Sequence, residues 1–170
     1  MQFSNILFLL LISASFLTGG TGLKKGDDAP AFELKDGDGK VHKLTDYKEK
    51  ILALYFYPKD FTGGCTEQAC NLRDNFSQLK DAGVVILGVS YDDNLSHQKF
   101  SEEYNLPFPL LSDTEKKVTE AYGAKKDTGK ISRMTFIIDG AGKILHIFEK
   151  VDTANHSAQI LAVINPKEEK

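Results

Sequence analysis

The sequence predicts an α/β fold in which a central mixed β-sheet is flanked by helices. Three continuous apolar runs, residues 51–57, 84–89 and 134–138, have the composition of strands buried on both faces. Segments with apolar residues at helical spacing alternate with them. At 170 residues and 41% hydrophobic, the chain suits one domain with one core.

The elements follow in order. Residues 31–34 and 41–44, joined by Asp36-Gly37-Asp38-Gly39, read as a small hairpin. The run 51–57 (ILALYFY) is a buried strand that stops at Pro58, which has no N–H for a ladder. Cys65, Ala69, Leu72, Phe76 and Leu79 then form one apolar stripe at helical spacing. The run 84–89 (VVILGV) is a second strand. The run 134–138 (MTFII) is a third and turns at Asp139-Gly140-Ala141-Gly142 into a strand over 144–148. Weaker helical patterns cover 94–104, 114–122 and 154–164.

Composition excludes several functions. The 21 basic and 24 acidic side chains leave a net charge of −3, and no basic run supports a nucleic-acid groove. Two cysteines are too few for a disulfide scaffold or an all-cysteine zinc site. The four histidines, His42, His97, His146 and His156, are scattered.

The first segment is set apart by its charge. From Met1 to Leu23 no side chain is acidic, basic or histidine. Residues 6–17 (ILFLLLISASFL) are almost wholly apolar, too short for the roughly 20 residues that span a bilayer. The small residues Thr18, Gly19, Gly20, Thr21 and Gly22 follow. This reads as a secretory signal peptide over residues 1–22, cut after Gly20 or Gly22, although its n-region carries no Lys or Arg. The alternatives are an uncleaved anchor or a buried N-terminal helix. Export would leave residues 23–170 as the mature domain, without stable membrane association, in an oxidising compartment such as the periplasm.

The chemistry concentrates in residues 55–70. A buried strand ends at Pro58, a short loop follows, and a helix opens near Cys65. A sulfur in the first helical turn meets unpaired backbone N–H groups and the positive end of the helix dipole, which favour the reactive thiolate. Gly63 and Gly64 let the backbone approach a small ligand. Thr62 lies near enough to bond the sulfur or its partner. On an intact helix a spacing of five residues puts Cα atoms roughly 8.7 Å apart, beyond the ~7 Å limit for a disulfide. Cys65 and Cys70 therefore bridge only after local unwinding. A structural disulfide, a metal site and two inert core thiols remain the competing readings. Of the basic residues only Arg73 and Arg133 are arginine. Arg133 precedes the 134–138 strand, where a permanently charged fork can reach an adjacent loop; an ordinary surface ion pair is the alternative for each.

Pro58-x-x-x-Thr62-x-x-Cys65 resembles the peroxiredoxin active-site motif, and Arg133 before Thr135-Phe136-Ile137-Ile138-Asp139 resembles the strand that carries that family's arginine. Cys70, followed by Arg73-Asp74, resembles the peroxiredoxin Q (bacterioferritin comigratory protein) branch, with similarity over about residues 25–164. The resemblance implies a thioredoxin-like fold and a thiol-dependent peroxidase without metal, flavin or haem. Cys65 would be peroxidatic and Cys70 resolving, the two joining in a redox disulfide. Thr62, Arg133 and backbone N–H groups would orient the peroxide, and Pro58 would shield the pocket. A thioredoxin-like protein would return electrons to a protein expected to be a monomer. Two departures stand out: Gly63 replaces the branch's usual proline, and Gln68 replaces an acidic residue common two places before the resolving cysteine. A thiol–disulfide oxidoreductase, whose usual signature is C-x-x-C, and a non-catalytic domain stapled by a structural disulfide are the rival functions.

Overall fold

A computed structural model describes residues 22–165. Seven strands form one sheet in the order β2-β1-β5-β4-β3-β6-β7. In chain order these are β1 (Glu33–Asp36), β2 (Val41–Lys43), β3 (Ile51–Phe56), β4 (Val84–Ser90), β5 (Leu110–Ser112), β6 (Met134–Ile138) and β7 (Ile144–Phe148). The helices are α1 (Gly63–Asp74), α2 (Phe76–Asp81), α3 (Asn94–Tyr104), α4 (Lys117–Ala121) and α5 (His156–Ile164). The sheet is mixed: β3 pairs parallel with β4 and antiparallel with β6.

The alternation of β3 divides the core. Leu52, Leu54 and Phe56 pack on one face with Phe32, Tyr122 and Phe136. Ala53, Tyr55 and Tyr57 face the other way, onto Cys65, Ala69 and Leu72 of α1, Phe100 of α3 and Ile160 of α5. Burial on both faces explains why β3 is apolar without a break. Its C-terminal end delivers the chain to α1, against which α5 packs.

Most expected elements form, with shifts that have local causes. The hairpin exists, but its first strand runs to Asp36, because the Asp36 carboxylate accepts the N–H groups of Asp38 and Lys40 and closes the turn there. The stripe from Cys65 to Leu79 is divided at Asn75, whose side-chain amide donates to the Asn71 carbonyl at 2.9 Å. The helix expected over 114–122 shortens to α4. Asp113 captures the N–H groups of Val118 and Thr119, and Lys116 takes a left-handed conformation with φ 63°. Strand β5 was not anticipated; three residues between Pro109 and Asp113 show no period. The signal-peptide reading of residues 1–22 lies outside the described residues except for Gly22.

Candidate active site

Thr62 is the N-cap of α1, with extended φ/ψ of −88° and 146°. Its carbonyl accepts the N–H groups of Cys65 at 3.0 Å and Thr66 at 2.9 Å, which starts the helix. Cys65 therefore occupies the first turn, as its spacing from the strand end suggested. The Thr62 hydroxyl donates to the Lys59 carbonyl at 2.9 Å. In that rotamer it serves the loop, with its acceptor lone pairs left for a ligand. Pro58 is exposed just beyond β3.

The loop between β3 and α1 is pinned from beneath by Asp60, a buried carboxylate. Tyr57 donates to it at 2.7 Å, Ser96 at 2.8 Å and His97 Nδ1 at 2.9 Å. Burial pushes the Asp60 carboxyl up, but these bonds and the His97 charge outweigh it and hold the group below the usual carboxylate range. The same loop puts Phe61 in a left-handed conformation with φ 59°.

Cys65 and Arg133 meet. Arg133 Nη2 donates to the Cys65 sulfur at 3.3 Å, across 68 positions of sequence. Cys65 is 2% exposed, and its sulfur meets this guanidinium at the N-terminal end of α1. Gly64 eases the approach: a Cβ there would lie 3.3 Å from Arg133 Nη2, a tight contact. The other arm, Nη1, donates to the Gln68 amide oxygen. Gln68 stands three residues after Cys65, on the same face of α1. The nearby Tyr55 hydroxyl is held neutral, its pKa raised by burial first and by the Asp60 and Cys65 charges next.

Cys70 sits further along the same unbroken helix. Both cysteines are free thiols, Cys65 buried and Cys70 half-buried. Arg73 lies beside Cys70, with its guanidinium tied to Asp74 at 2.8 Å and to the Tyr104 carbonyl at 2.7 Å. Both arginines thus flank a sulfur. Among the described residues no cluster of His, Cys, Asp and Glu could hold a metal. The sequence reading did not single out Asp60, His97 or His156. Gln68 was visible only as a departure, though its i+3 spacing from Cys65 was a usable signal.

An arginine-paired thiol at a helix N-terminus, with a second thiol one and a half turns on, defines a thiol-based redox protein of the thioredoxin fold. The AhpC/TSA family pattern matches residues 25–147. The chain is 46% identical to the peroxiredoxin Bcp of Escherichia coli K12, over 82% of this chain and 94% of that one. It is 44% identical to the peroxiredoxin Bcp of Bacillus subtilis, over 85% and 97%. A solved structure of the bacterioferritin comigratory protein of Xanthomonas campestris, concerned with its alkyl peroxide reduction activity, superposes with a TM-score of 0.75 at 31% identity, over 79% of this chain and 90% of that one. The chain belongs to the AhpC/TSA family as a peroxiredoxin of the Bcp type, a thiol-dependent peroxidase.

Proposed function

We propose that this peroxiredoxin works by an atypical two-cysteine cycle with Cys65 peroxidatic and Cys70 resolving. The observation that carries this reading is the 3.3 Å contact from Arg133 to a cysteine in the first turn of α1. The Cys65 thiolate attacks the near oxygen of a hydroperoxide. An S–O bond forms as the O–O bond breaks, sulfur is oxidised to a sulfenic acid, and the departing alkoxide or hydroxide takes a proton to leave as alcohol or water. Arg133 and the free N–H group of Gly64 would stabilise charge on the peroxide oxygens. Thr62 orients the peroxide through its hydroxyl, and Pro58 shields the approach. Cys70 then attacks the sulfenic sulfur: an S–S bond forms and water leaves. A dithiol protein resembling thioredoxin reduces the disulfide and is itself oxidised.

The substrates are hydrogen peroxide and organic hydroperoxides; alkyl peroxide reduction by the Xanthomonas relative supports the second class. The polypeptide acts as a monomer, since both sulfurs of the cycle lie on one helix. The apolar leader and its small-residue exit support export of residues 23–170 to the periplasm or another extracytoplasmic space.

The test mixes reduced protein with substoichiometric hydrogen peroxide and counts free thiols. Wild type loses both thiols rapidly, Cys70→Ser yields a trappable sulfenic acid, and Cys65→Ser scarcely reacts. A sluggish Cys65 with a disulfide that resists reductants returns the pair to a structural staple. Rapid exchange with protein disulfides but not peroxide makes the protein an oxidoreductase.

A further inference from the structure

Behind Arg133 lies a buried polar chain that the peroxidase cycle leaves unused. Gln68, His156 and Thr135 are all fully buried and come from α1, α5 and β6. Gln68 Nε2 is 3.0 Å from His156 Nδ1, and His156 Nε2 is 3.0 Å from Thr135 Oγ1. Tyr55 and Phe148 meet the imidazole edge-on with ring centroids 6.2 and 6.3 Å away.

Donor and acceptor arithmetic gives this chain one direction. Burial first, and the Arg133 charge second, lower the His156 pKa to about 3, so the ring is neutral at ordinary pH. A neutral imidazole has one donor and one acceptor, and an amide nitrogen only donates. Arg133 can only donate, so the Gln68 oxygen faces the guanidinium and its NH2 faces the ring. Nδ1 therefore accepts from Gln68, and the Nε2 proton goes to Thr135. A reversed Gln68 would set its NH2 against a guanidinium that can only donate.

We propose that His156 is a positioning residue of the thiol site: its ring, held between Thr135 and Gln68, turns the Gln68 oxygen toward one arm of Arg133 and so keeps the other arm on Cys65. This rests on the reading of Cys65 as the peroxidatic thiol. Gln68 also lies between the two cysteines. Opening α1 for Cys70 takes Gln68 away from His156, and Arg133 loses its guide at the stage when Cys65 is already oxidised.

The test uses the reduced full chain and two readouts: the rate of Cys65 oxidation by hydrogen peroxide, and the pH midpoint of thiolate absorbance. His156→Phe slows oxidation by roughly tenfold or more and moves the midpoint upward. Gln68→Leu does the same, and the double variant is no worse than either single one. His156→Gln keeps an acceptor for Gln68 and a donor for Thr135, and restores most of the rate. A merely structural role would lower the melting temperature and leave the midpoint where it was. A folded His156→Phe protein with wild-type rate and midpoint overturns the proposal, as do penalties that multiply in the double variant. If His156→Phe does not fold, Thr135→Val, which keeps the ring and removes its acceptor, takes its place: a raised midpoint supports the proposal and an unmoved one overturns it. A wild-type Cys65 that ignores peroxide sinks the peroxidase reading instead, while the thiolate midpoints still decide the role of His156.

Discussion

Asn71, immediately after Cys70, caps a helix that is not its own: its side-chain oxygen accepts the Ser157 N–H of α5 at 2.8 Å. Its amide nitrogen also donates to the Ala154 carbonyl at 2.6 Å. The local N-cap of α5, Asn155, makes no side-chain cap bond, so the first turn of α5 depends on α1. Glu67 adds a contact to the Thr153 hydroxyl. The segment that would unwind in the proposed cycle is therefore clasped to a neighbouring helix along the stretch that carries both cysteines.

Asn71→Ala should have opposite effects on stability and turnover. Loss of the cap costs on the order of 1 kcal/mol, read as a lower melting temperature. Release of α1 speeds the passage from sulfenic acid to the Cys65–Cys70 disulfide, read by rapid quenching and mass analysis. A variant that is less stable but resolves no faster means the clasp is not what restrains unwinding.

Gly63→Pro should act in the reverse sense. Gly63 is the first residue of α1, a position that suits proline because its N–H has no intrahelical partner. Thr62 already has the extended conformation required before proline, and a Cβ at residue 63 meets nothing within 4 Å. Proline there stabilises the folded helix by roughly 0.4–1 kcal/mol and slows disulfide formation severalfold. Unchanged stopped-flow kinetics would show that the helix entrance does not govern resolution.

These two residues also mark how far the sequence could be read. Strands β3 and β6 were legible because burial on both faces leaves an apolar run, and the start of α1 because Pro58 and the glycines punctuate it. Cys65, Cys70 and Arg133 stood out by type and by motif. The break at Asn75 was not legible, because a side-chain amide competing for one carbonyl leaves no periodic trace. Neither was the Gln68–His156 bond, which spans 88 positions. One histidine among four dispersed ones shows its partner only when α5 packs on α1. Thr62 was read as near enough to bond the sulfur or its partner, and the hydroxyl's bond to Lys59 was not foreseen. A rotamer choice of that kind is decided by loop geometry.

Gly64→Ala should strike the arginine without touching its charge. The new Cβ would stand 3.3 Å from Arg133 Nη2, so the guanidinium must shift by a few tenths of an ångström. Arg133→Lys removes the fork altogether, and a lysine cannot serve Cys65 and Gln68 with two arms. Peroxide reactivity should fall modestly in Gly64→Ala and by on the order of a hundredfold in Arg133→Lys, with circular dichroism unchanged in both. Equal, wild-type rates would show that the arginine's aim is irrelevant.

Acid stability should depend on His156 in a definite window. Its pKa falls from 6.5 in the unfolded chain to about 3 in the fold. Between those values the unfolded state binds a proton that the native state does not, so unfolding becomes easier as pH falls, with a slope on the order of 1 kcal/mol per pH unit. Above 6.5 the contribution to pH dependence vanishes. Asp60 acts lower: its depressed pKa gives stability that is present above the usual carboxylate range and is lost as pH falls through its folded value. Denaturant midpoints measured across mildly acidic pH should therefore decline for the wild type and stay flatter for His156→Gln, whose amide does not titrate. In Asp60→Asn the decline through the His156 window persists, while the additional loss at the lowest pH disappears. Parallel curves for wild type and His156→Gln would mean that the imidazole is not held neutral in the folded protein, and the tautomer that orients Gln68 would lose its physical basis.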